Sequence, residues 1–221
     1  LVDDARSLSP QDIAGLMGVS DNIAELNHRR FMNFSTPFSL DNAKQAVLAF
    51  KDDVYTGLDA DTLDSSELRF AQKHLRILSG LYGMLRPLDL IQPYRLEMGT
   101  KLKVGRKQNL YEFWKRIIPK RIADDTGKHF PSVLINLASN EYFKSIQPGS
   151  FPHKVITPVF KESDGTGFRN VTIYAKKARG MMLRLILRNR IEIPERLKAF
   201  DEEGYYFNPH LSSDKEWVFC R

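Results

Sequence analysis

Two polar stretches of the chain carry the residue types that acid–base chemistry or phosphate binding needs. One runs from Asn136 to Lys144 and the other from Tyr174 to Gly180, and each directly follows a predicted β-strand. Strand ends are where α/β sheets assemble binding sites. If both stretches leave the sheet at one edge, a carboxylate, a hydroxyl, amides and three cations converge there. Glu141 would then be a candidate general base, and Ser139 a candidate nucleophile or hydrogen-bond donor.

A structural explanation of the same residues is also open. Ser139 has the residue type of a helix N-cap, and Glu141 would lie in the first turn, where the helix dipole favours a carboxylate. A cap does not explain the cations at 176–179, so both explanations stand. A third stretch, 50–58, is either a ligand loop or an ordinary connection between helices. The candidate polar pocket comprises Lys51, Tyr55, Asn136, Ser139, Asn140, Glu141 and Tyr142.

A glycine-containing turn between two arginines offers a second kind of chemistry. Gly80 and Gly83 lie between Arg76 and Arg86, after apolar residues whose spacing over 66–78 predicts a helix. Such a sequence is typical of a helix-hairpin-helix, which holds DNA by offering main-chain N–H groups to a phosphate. An ordinary helix end followed by a proline-fixed turn is the alternative. The predicted DNA contacts of this motif are Arg76, Gly80, Leu81, Tyr82, Gly83 and Arg86.

A predicted helix over residues 176–190 combines an apolar stripe with a row of cations on another face. The pattern suits binding to a nucleic-acid backbone, and it is equally the pattern of a plain amphipathic helix. We predict DNA contacts from Lys176, Lys177, Arg179, Arg184 and Arg188, together with Lys144 after the earlier strand. An acid-free basic run could extend this surface through Lys101, Lys103, Arg106 and Lys107.

The composition favours a folded protein with an anionic partner. Thirty-three lysines and arginines stand against 27 acids, which gives a net charge of +6. This excess favours nucleic acid as a partner, although only modestly. The 42% of hydrophobic residues among 221 can form a sizeable core, which favours a folded chain over a disordered one.

Metal and cofactor motifs are scarce. The five histidines are scattered without a pair at helical ligand spacing, and Cys220 is the single cysteine. The chain holds no phosphate-loop signature, dinucleotide fingerprint or nucleophile elbow. We therefore predict neither a bound metal nor a cofactor.

The elements that position these residues differ along the chain. The first 130 residues read as mainly helical, with a helix start at Ser9-Pro10, and residues 131–221 read as rich in strands. We predict an α/β (α+β) fold in a single domain, 1–221, with a compact mixed sheet flanked by helices. The helix-hairpin-helix is expected at about 66–91, within the helical part.

Cysteine content and hydropathy bear on the compartment of the protein. No apolar run approaches the roughly 20 residues that cross a bilayer, and one cysteine permits no internal disulfide. We therefore expect a reducing compartment and no membrane contact. The chain begins at Leu1 without a methionine, so we also expect that an N-terminal piece is missing.

Several short blocks resemble the YaaA family, bacterial proteins linked to peroxide stress. They occur in the family's order along nearly the whole chain: 50–57, 78–83, 86–89, 92–99, 136–139, 141–143 and 174–180. The resemblance implies a cytoplasmic protein of compact α/β fold, with a helix-hairpin-helix and a basic cleft that binds DNA. It also implies a role in limiting free intracellular iron, and so DNA damage, during peroxide exposure.

Carried over by position, the family's hairpin falls on residues 78–83, with Arg76 and Arg86 beside it. The cleft falls on Lys176, Lys177, Arg179 and the 136–144 stretch. Family members begin with a strand and a Ser-Pro-Ala-Lys segment, which this chain lacks. The resemblance therefore implies an N-terminal strand that is missing here.

The leading hypothesis is a monomeric protein that binds DNA largely without sequence preference, because phosphate contacts dominate such binding. The alternative is an uncharacterised enzyme that acts on a nucleotide or a phosphorylated small molecule. Its site would be formed by the 136–144 and 176–179 stretches. The sequence does not decide whether the protein is an enzyme, although the balance leans against it.

Overall fold

The computed structural model describes every residue from Leu1 to Arg221. The α-helices are α1 Val2–Arg6, α2 Pro10–Met17, α3 Asp21–Asn33, α4 Ala46–Ala49, α5 Asp53–Leu58, α6 Ser65–His74, α7 Leu110–Trp114, α8 Ile118–Thr126, α9 Asn140–Phe143 and α10 Thr172–Arg188. The strands are β1 Lys44–Gln45, β2 Ile77–Ser79, β3 Gly83–Leu85, β4 Leu90–Ile91, β5 Val133–Ile135, β6 Lys154–Ser163, β7 Phe168–Arg169, β8 Tyr206–Phe207 and β9 Glu216–Cys220. The predicted mixed α/β class is confirmed.

The chain forms two compact units, and each is assembled from three separate segments. The hairpin unit comprises Leu1–Ala49, Arg76–Ile122 and Ala138–Ser150. The sheet unit comprises Phe50–Leu75, Ala123–Leu137 and Phe151–Arg221. Both units therefore draw residues from each side of position 130.

The hairpin unit is built from local signals that the sequence displays. Ser9 caps α2 in a capping box with Asp12, and Gly18 ends the helix in a left-handed conformation at φ 61°. Helix α2 packs on α3 through the fully buried Ile13 and Ala24. Two small antiparallel ladders, β1 with β4 and β2 with β3, complete the unit.

The sheet unit holds the mixed sheet that the sequence predicts. Its strand order is β5-β6-β9-β8, with β6 parallel to both β5 and β9, and β8 antiparallel to β9. Strand β7 adds an antiparallel pair at the end of β6. The buried core lies between this sheet and α10, which contributes Ala175, Ala178, Met181 and Met182.

The structure does not show the predicted helix-hairpin-helix. Helix α6 ends at His74, and β2 pairs with β3 in register Ile77 to Leu85 and Ser79 to Gly83. After this ladder, the next α-helix along the chain is α7, which begins only at Leu110. The helix predicted over 66–78 therefore ends four residues early, and Leu78, which continued its apolar spacing, lies on β2.

Membrane insertion finds no support among the helices. None of them combines the length and the apolar character that crossing a bilayer requires.

Candidate functional site

The tip of the hairpin is internal to its unit. Gly80, Leu81 and Gly83 are buried, and the main-chain N–H of Tyr82 donates to Ser79 Oγ at 2.8 Å. A helix-hairpin-helix binds phosphate through exposed hairpin N–H groups. The expected main-chain contacts from residues 80–83 are therefore not formed by this geometry.

The two glycines of the hairpin allow other parts of the unit to pack closely against it. A Cβ built at Gly80 would lie 2.2 Å from the carbonyl oxygen of Leu96, and one at Gly83 would lie 2.6 Å from the ring of Trp114. Gly83 also has φ +76°, a left-handed conformation that side chains disfavour. The indole Nε1–H of Trp114 donates to Gly80 O at 2.9 Å, so α7 is fastened to the hairpin.

The arginines that flank the hairpin differ in environment. Arg76 is half-buried and has an interaction partner, whereas Arg86 is exposed and its side chain has no ion pair. The main-chain N–H of Arg86 donates to Asp89 Oδ2 at 2.7 Å and fixes the turn after β3. Arg86 is therefore the hairpin residue whose charge remains available to an anion.

A longer basic region lies next to the hairpin in the same unit. We call it the basic segment, and it consists of Lys101, Lys103, Arg106, Lys107, Lys115, Arg116, Lys120 and Arg121. All eight side chains are exposed, and none forms an ion pair with a carboxylate. The one acid within residues 101–121 is Glu112, and its Oε2 accepts the main-chain N–H of Gln108 at 3.0 Å. Sequence reasoning identified only the first four cations; the doublets at 115–116 and 120–121 were the signal for the rest.

The charge of the protein is distributed unequally between the units. The hairpin unit has sixteen lysines and arginines against ten acids, which gives +6, the net charge of the entire chain. The sheet unit has seventeen of each and is neutral. A polyanion is attracted by net local charge, so the hairpin unit is the electrostatically favoured half.

The cationic face of α10 is neutralised by acids from other parts of the sheet unit. Four of its predicted DNA contacts are paired: Lys176 with Asp53 at 3.9 Å, Lys177 with Glu203, Arg184 with Asp59 at 3.5 Å, and Arg188 with Glu67 at 3.9 Å. Arg184 Nη1 also donates to the carbonyl oxygen of Leu58 at 2.8 Å. Each pair must be broken or shared before a phosphate can use the cation.

Arg179 is the exception on α10. Its side chain is half-buried, yet it forms no hydrogen bond and no ion pair. Burial lowers the pKa of the Arg179 guanidinium, because desolvation disfavours the charged form. A cation held in this state gains most from an anion that supplies the missing partner.

In the candidate polar pocket, the carboxylate of Glu141 and the hydroxyl of Ser139 each accept a hydrogen bond from a main-chain N–H group. Ser139 caps α9 by accepting the main-chain N–H of Tyr142 at 3.5 Å. Glu141 Oε1 accepts the N–H of Gly99 at 2.7 Å, and its carbonyl accepts the hydroxyl of Tyr111 at 2.9 Å. The geometry thus favours the capping explanation, in which Glu141 anchors the loop at residue 99.

The remaining pocket residues divide between the two units. Asn136 lies buried in the sheet unit, where its Nδ2 donates to Thr157 Oγ1 at 3.2 Å. In that unit Lys51 pairs with Asp61 at 3.6 Å, and the ring of Tyr55 stacks on Phe50 with centroids 5.2 Å apart. In the hairpin unit Asn140 is exposed, and the nearby Lys144, which was predicted as a DNA contact, lies 5.5 Å from the centre of the Tyr111 ring.

No group of three or more histidines, cysteines, aspartates or glutamates is arranged to hold a metal ion. Cys220 is fully buried on β9, with the side-chain amide of Asn208 at 3.9 Å from its sulfur. Burial raises the pKa of this thiol above its ordinary value.

We expect Cys220 to react with iodoacetamide at pH 7.5 at least about 100-fold more slowly in the folded protein than in 8 M urea. The thiolate is the reactive form, and both burial and the raised pKa suppress it. Mass spectrometry of the alkylated fraction over time measures the two rates, and the urea sample serves as the control. Equal rates would show that β9 opens readily and exposes the thiol to solvent.

These features define a mixed α/β protein in which one unit bears the net positive charge and an exposed basic segment. The chain belongs to the peroxide stress protein YaaA family, whose profile matches residues 1–211. It is 52% identical over 221 residues to a UPF0246 protein of Aliivibrio fischeri (strain MJ11), covering all of this chain and 85% of that protein. A UPF0246 protein of Acaryochloris marina is 50% identical, with 87% of its length covered. Family membership assigns the chain to the peroxide stress response.

Proposed function

We propose that this protein acts in the peroxide stress response by binding DNA through the basic segment of the hairpin unit. The observation that carries the proposal is the set of eight exposed cations without a carboxylate partner, in a unit that holds the whole net charge. Unpaired lysines and arginines release counterions from the phosphate backbone without first losing a protein partner. Phosphate contacts carry no base information, so the binding is largely independent of sequence.

We propose that this DNA binding protects DNA and helps to limit free iron. The family description supports a stress-response role, and the family resemblance supports protection of DNA and a part in limiting free iron. We further propose that the protein acts in the cytoplasm as a monomer. Arg86 and Arg179 are proposed as additional phosphate contacts, because neither has an ion-pair partner in its own unit.

Replacement of Lys101, Lys103, Arg106 and Lys107 by alanine is expected to weaken DNA binding and flatten its salt dependence. The slope of log K against log salt should fall by about 3 to 4 units if each cation contacts one phosphate. Fluorescence anisotropy with a labelled 20-base-pair duplex between 50 and 200 mM salt measures the slope. The matched control is Lys176→Ala with Lys177→Ala, whose charges are already paired with Asp53 and Glu203.

The two variants distinguish the surfaces. A reduced slope in the basic-segment variant alone supports the proposal. A reduced slope in the α10 variant alone would show that DNA binds to α10, as the pattern of cations in the sequence predicts, and not to the basic segment. An unchanged slope in both would exclude phosphate contacts from these four cations of the basic segment and from Lys176 and Lys177.

A second candidate function, binding of a phosphorylated small molecule or nucleotide, is favoured by Arg179. The substitution Arg179→Met keeps the apolar stem and removes a desolvated charge that has no partner. We expect its melting temperature to be unchanged or raised, while affinity for inorganic phosphate falls at least about tenfold by calorimetry. Exposed Lys215, which has no ion pair, gives the control Lys215→Met. A lowered melting temperature with unaltered phosphate binding would assign Arg179 a structural role.

A further inference from the structure

A cavity of about 340 Å³ lies beside α3 in the hairpin unit, and none of the predicted DNA-contact or polar-pocket residues lines it. Its lining residues are Leu26, Arg29, Arg30, Asn33, Ser35, Asn42, Gln92 and Pro93. Pockets that bind small molecules begin at about 300 Å³, so the cavity has room for a ligand of modest size.

The only charged side chains on the cavity wall are two arginines. The side chains of Arg29 and Arg30 form no ion pair and no hydrogen bond with any other residue. Each guanidinium offers five N–H donors in a planar fork that matches the oxygens of a phosphate. Two unpaired arginines in one cavity therefore present two positive charges and ten donors without an internal acceptor.

Another part of the cavity wall is held in place by side-chain amides. Gln92 binds the main chain of Ser35 twice, accepting its N–H at 3.0 Å and donating to its carbonyl at 2.8 Å. Asn42 likewise accepts the N–H of Ser39 at 3.0 Å and donates to Pro37 O at 3.1 Å. The wall is thus fixed before a ligand arrives, which lowers the ordering cost of binding.

The polar groups that remain unengaged are those a bound anion would use. Neither the side chain of Asn33 nor the hydroxyl of Ser35 forms a hydrogen bond. Leu26 and Pro93 supply an apolar surface next to them, and 39% of Leu26 is exposed. The cavity therefore combines a strongly cationic side with a small apolar side.

We propose that this cavity binds the terminal phosphate monoester of a nucleotide, with Arg29 and Arg30 on the phosphate and Leu26 and Pro93 against the organic part. A monoester carries about −1.5 to −2 charges at pH 7, which matches two guanidinium groups better than a carboxylate or a phosphodiester does. The same chemistry occurs in a free nucleoside monophosphate and at the 5′-phosphorylated end of a DNA strand. The inference is independent of the duplex interface proposed for the basic segment.

The test compares matched ligands on the full chain by isothermal titration calorimetry. One pair is AMP and adenosine, and the other is a short single-stranded oligonucleotide with a 5′-phosphate or a 5′-hydroxyl. We expect the phosphorylated member of at least one pair to bind about tenfold more tightly or better. Inorganic phosphate is expected to compete with it. The double variant Arg29→Met with Arg30→Met should abolish this preference, while the control Lys215→Met, at an exposed lysine outside both proposed binding surfaces, should retain it.

The outcomes separate the two sources of the ligand. A preference seen with AMP alone identifies a free nucleotide, and one seen with the oligonucleotide identifies a DNA end. A preference that survives in the double variant, or that is absent for both pairs, would overturn the proposal. A circular dichroism melting curve verifies that the double variant is folded. If it is not, Arg29→Lys provides the second measurement, because a point charge lacks the bidentate fork and should lose part of the preference.

Discussion

The substitution Gly180→Ala is expected to lower the free energy of unfolding by about 3 kcal/mol or more. Helix α10 crosses α5 at Gly180 and Gly57, where the two backbones approach without side chains between them. A Cβ added at Gly180 would lie 1.9 Å from the carbonyl oxygen of Val54 and 2.8 Å from the main-chain nitrogen of Leu58. Both neighbours are backbone atoms, so only a displacement of one helix can relieve the overlap.

Chemical denaturation with tryptophan fluorescence measures this loss. Gly57→Ala should lower the free energy of unfolding by a similar amount, since its Cβ would lie 2.1 Å from the carbonyl oxygen of Lys177. The matched control is Gly15→Ala in α2, where no atom lies within 4 Å of the added Cβ. Alanine there should stabilise the helix by up to about 1 kcal/mol. A loss below about 1 kcal/mol for Gly180→Ala would show that α5 and α10 are not in the close contact described here.

The substitution Arg221→Met is expected to cost about 2 to 3 kcal/mol at neutral pH, because it leaves the partly buried Glu162 without its cation and removes one of the two cations that pair with Glu203. Arg221 Nε donates to Glu162 Oε2 at 2.8 Å, and Nη1 donates to Glu203 Oε2 at 2.9 Å. The hydroxyl of Tyr205, itself fully buried in the core, donates to the other oxygen of Glu162. Arg221 also lies 4.7 Å from the centre of the Tyr205 ring, so the arginine links two carboxylates and an aromatic side chain.

The pH dependence of this cost has a definite sign. Hydrogen bonds from Lys177 and Arg221 lower the pKa of Glu203, so its contribution to stability is present above the ordinary carboxyl pKa. That contribution is lost as the pH falls through the lowered pKa of the folded state. The difference between the wild type and Arg221→Met should therefore be largest near pH 7 and shrink in acid.

Urea denaturation at pH 7 and at several lower pH values measures the difference. Lys215→Met is the control, because this exposed lysine has no ion pair and its loss should change stability by less than about 0.5 kcal/mol. A constant difference between the wild type and Arg221→Met at all pH values would mean that packing, and not the charge, accounts for the effect.

The structure changes which residues are the best candidates for binding a polyanion. The pattern of α10 predicts a cationic ridge, but four of its cations have carboxylate partners. The basic segment has no such partners, although the sequence drew attention to only half of it. Since a paired cation must exchange one anion for another, equal numbers of lysines and arginines do not imply equal affinity.

The sequence alone determined the features that depend on neighbours within a few residues. The capping box of Ser9 with Asp12 and the cap of Ser139 on Tyr142 form between residues three apart, so they are readable from spacing. The strands at 133–135, 154–163 and 216–220 follow from short apolar runs, and the mixed class follows from their number. The family could also be identified from short blocks in a fixed order.

Only the tertiary structure decided what depends on residues far apart in the chain. Whether the hairpin glycines face a phosphate or a tryptophan is set by Trp114, some thirty residues later. Asp53, Asp59 and Glu203 form ion pairs with cations of α10, and no pattern among neighbouring residues predicts these pairs. Side-chain charge is fixed by the sequence, but the local field depends on which segments fold together, because electrostatic energy falls with distance in space and not along the chain.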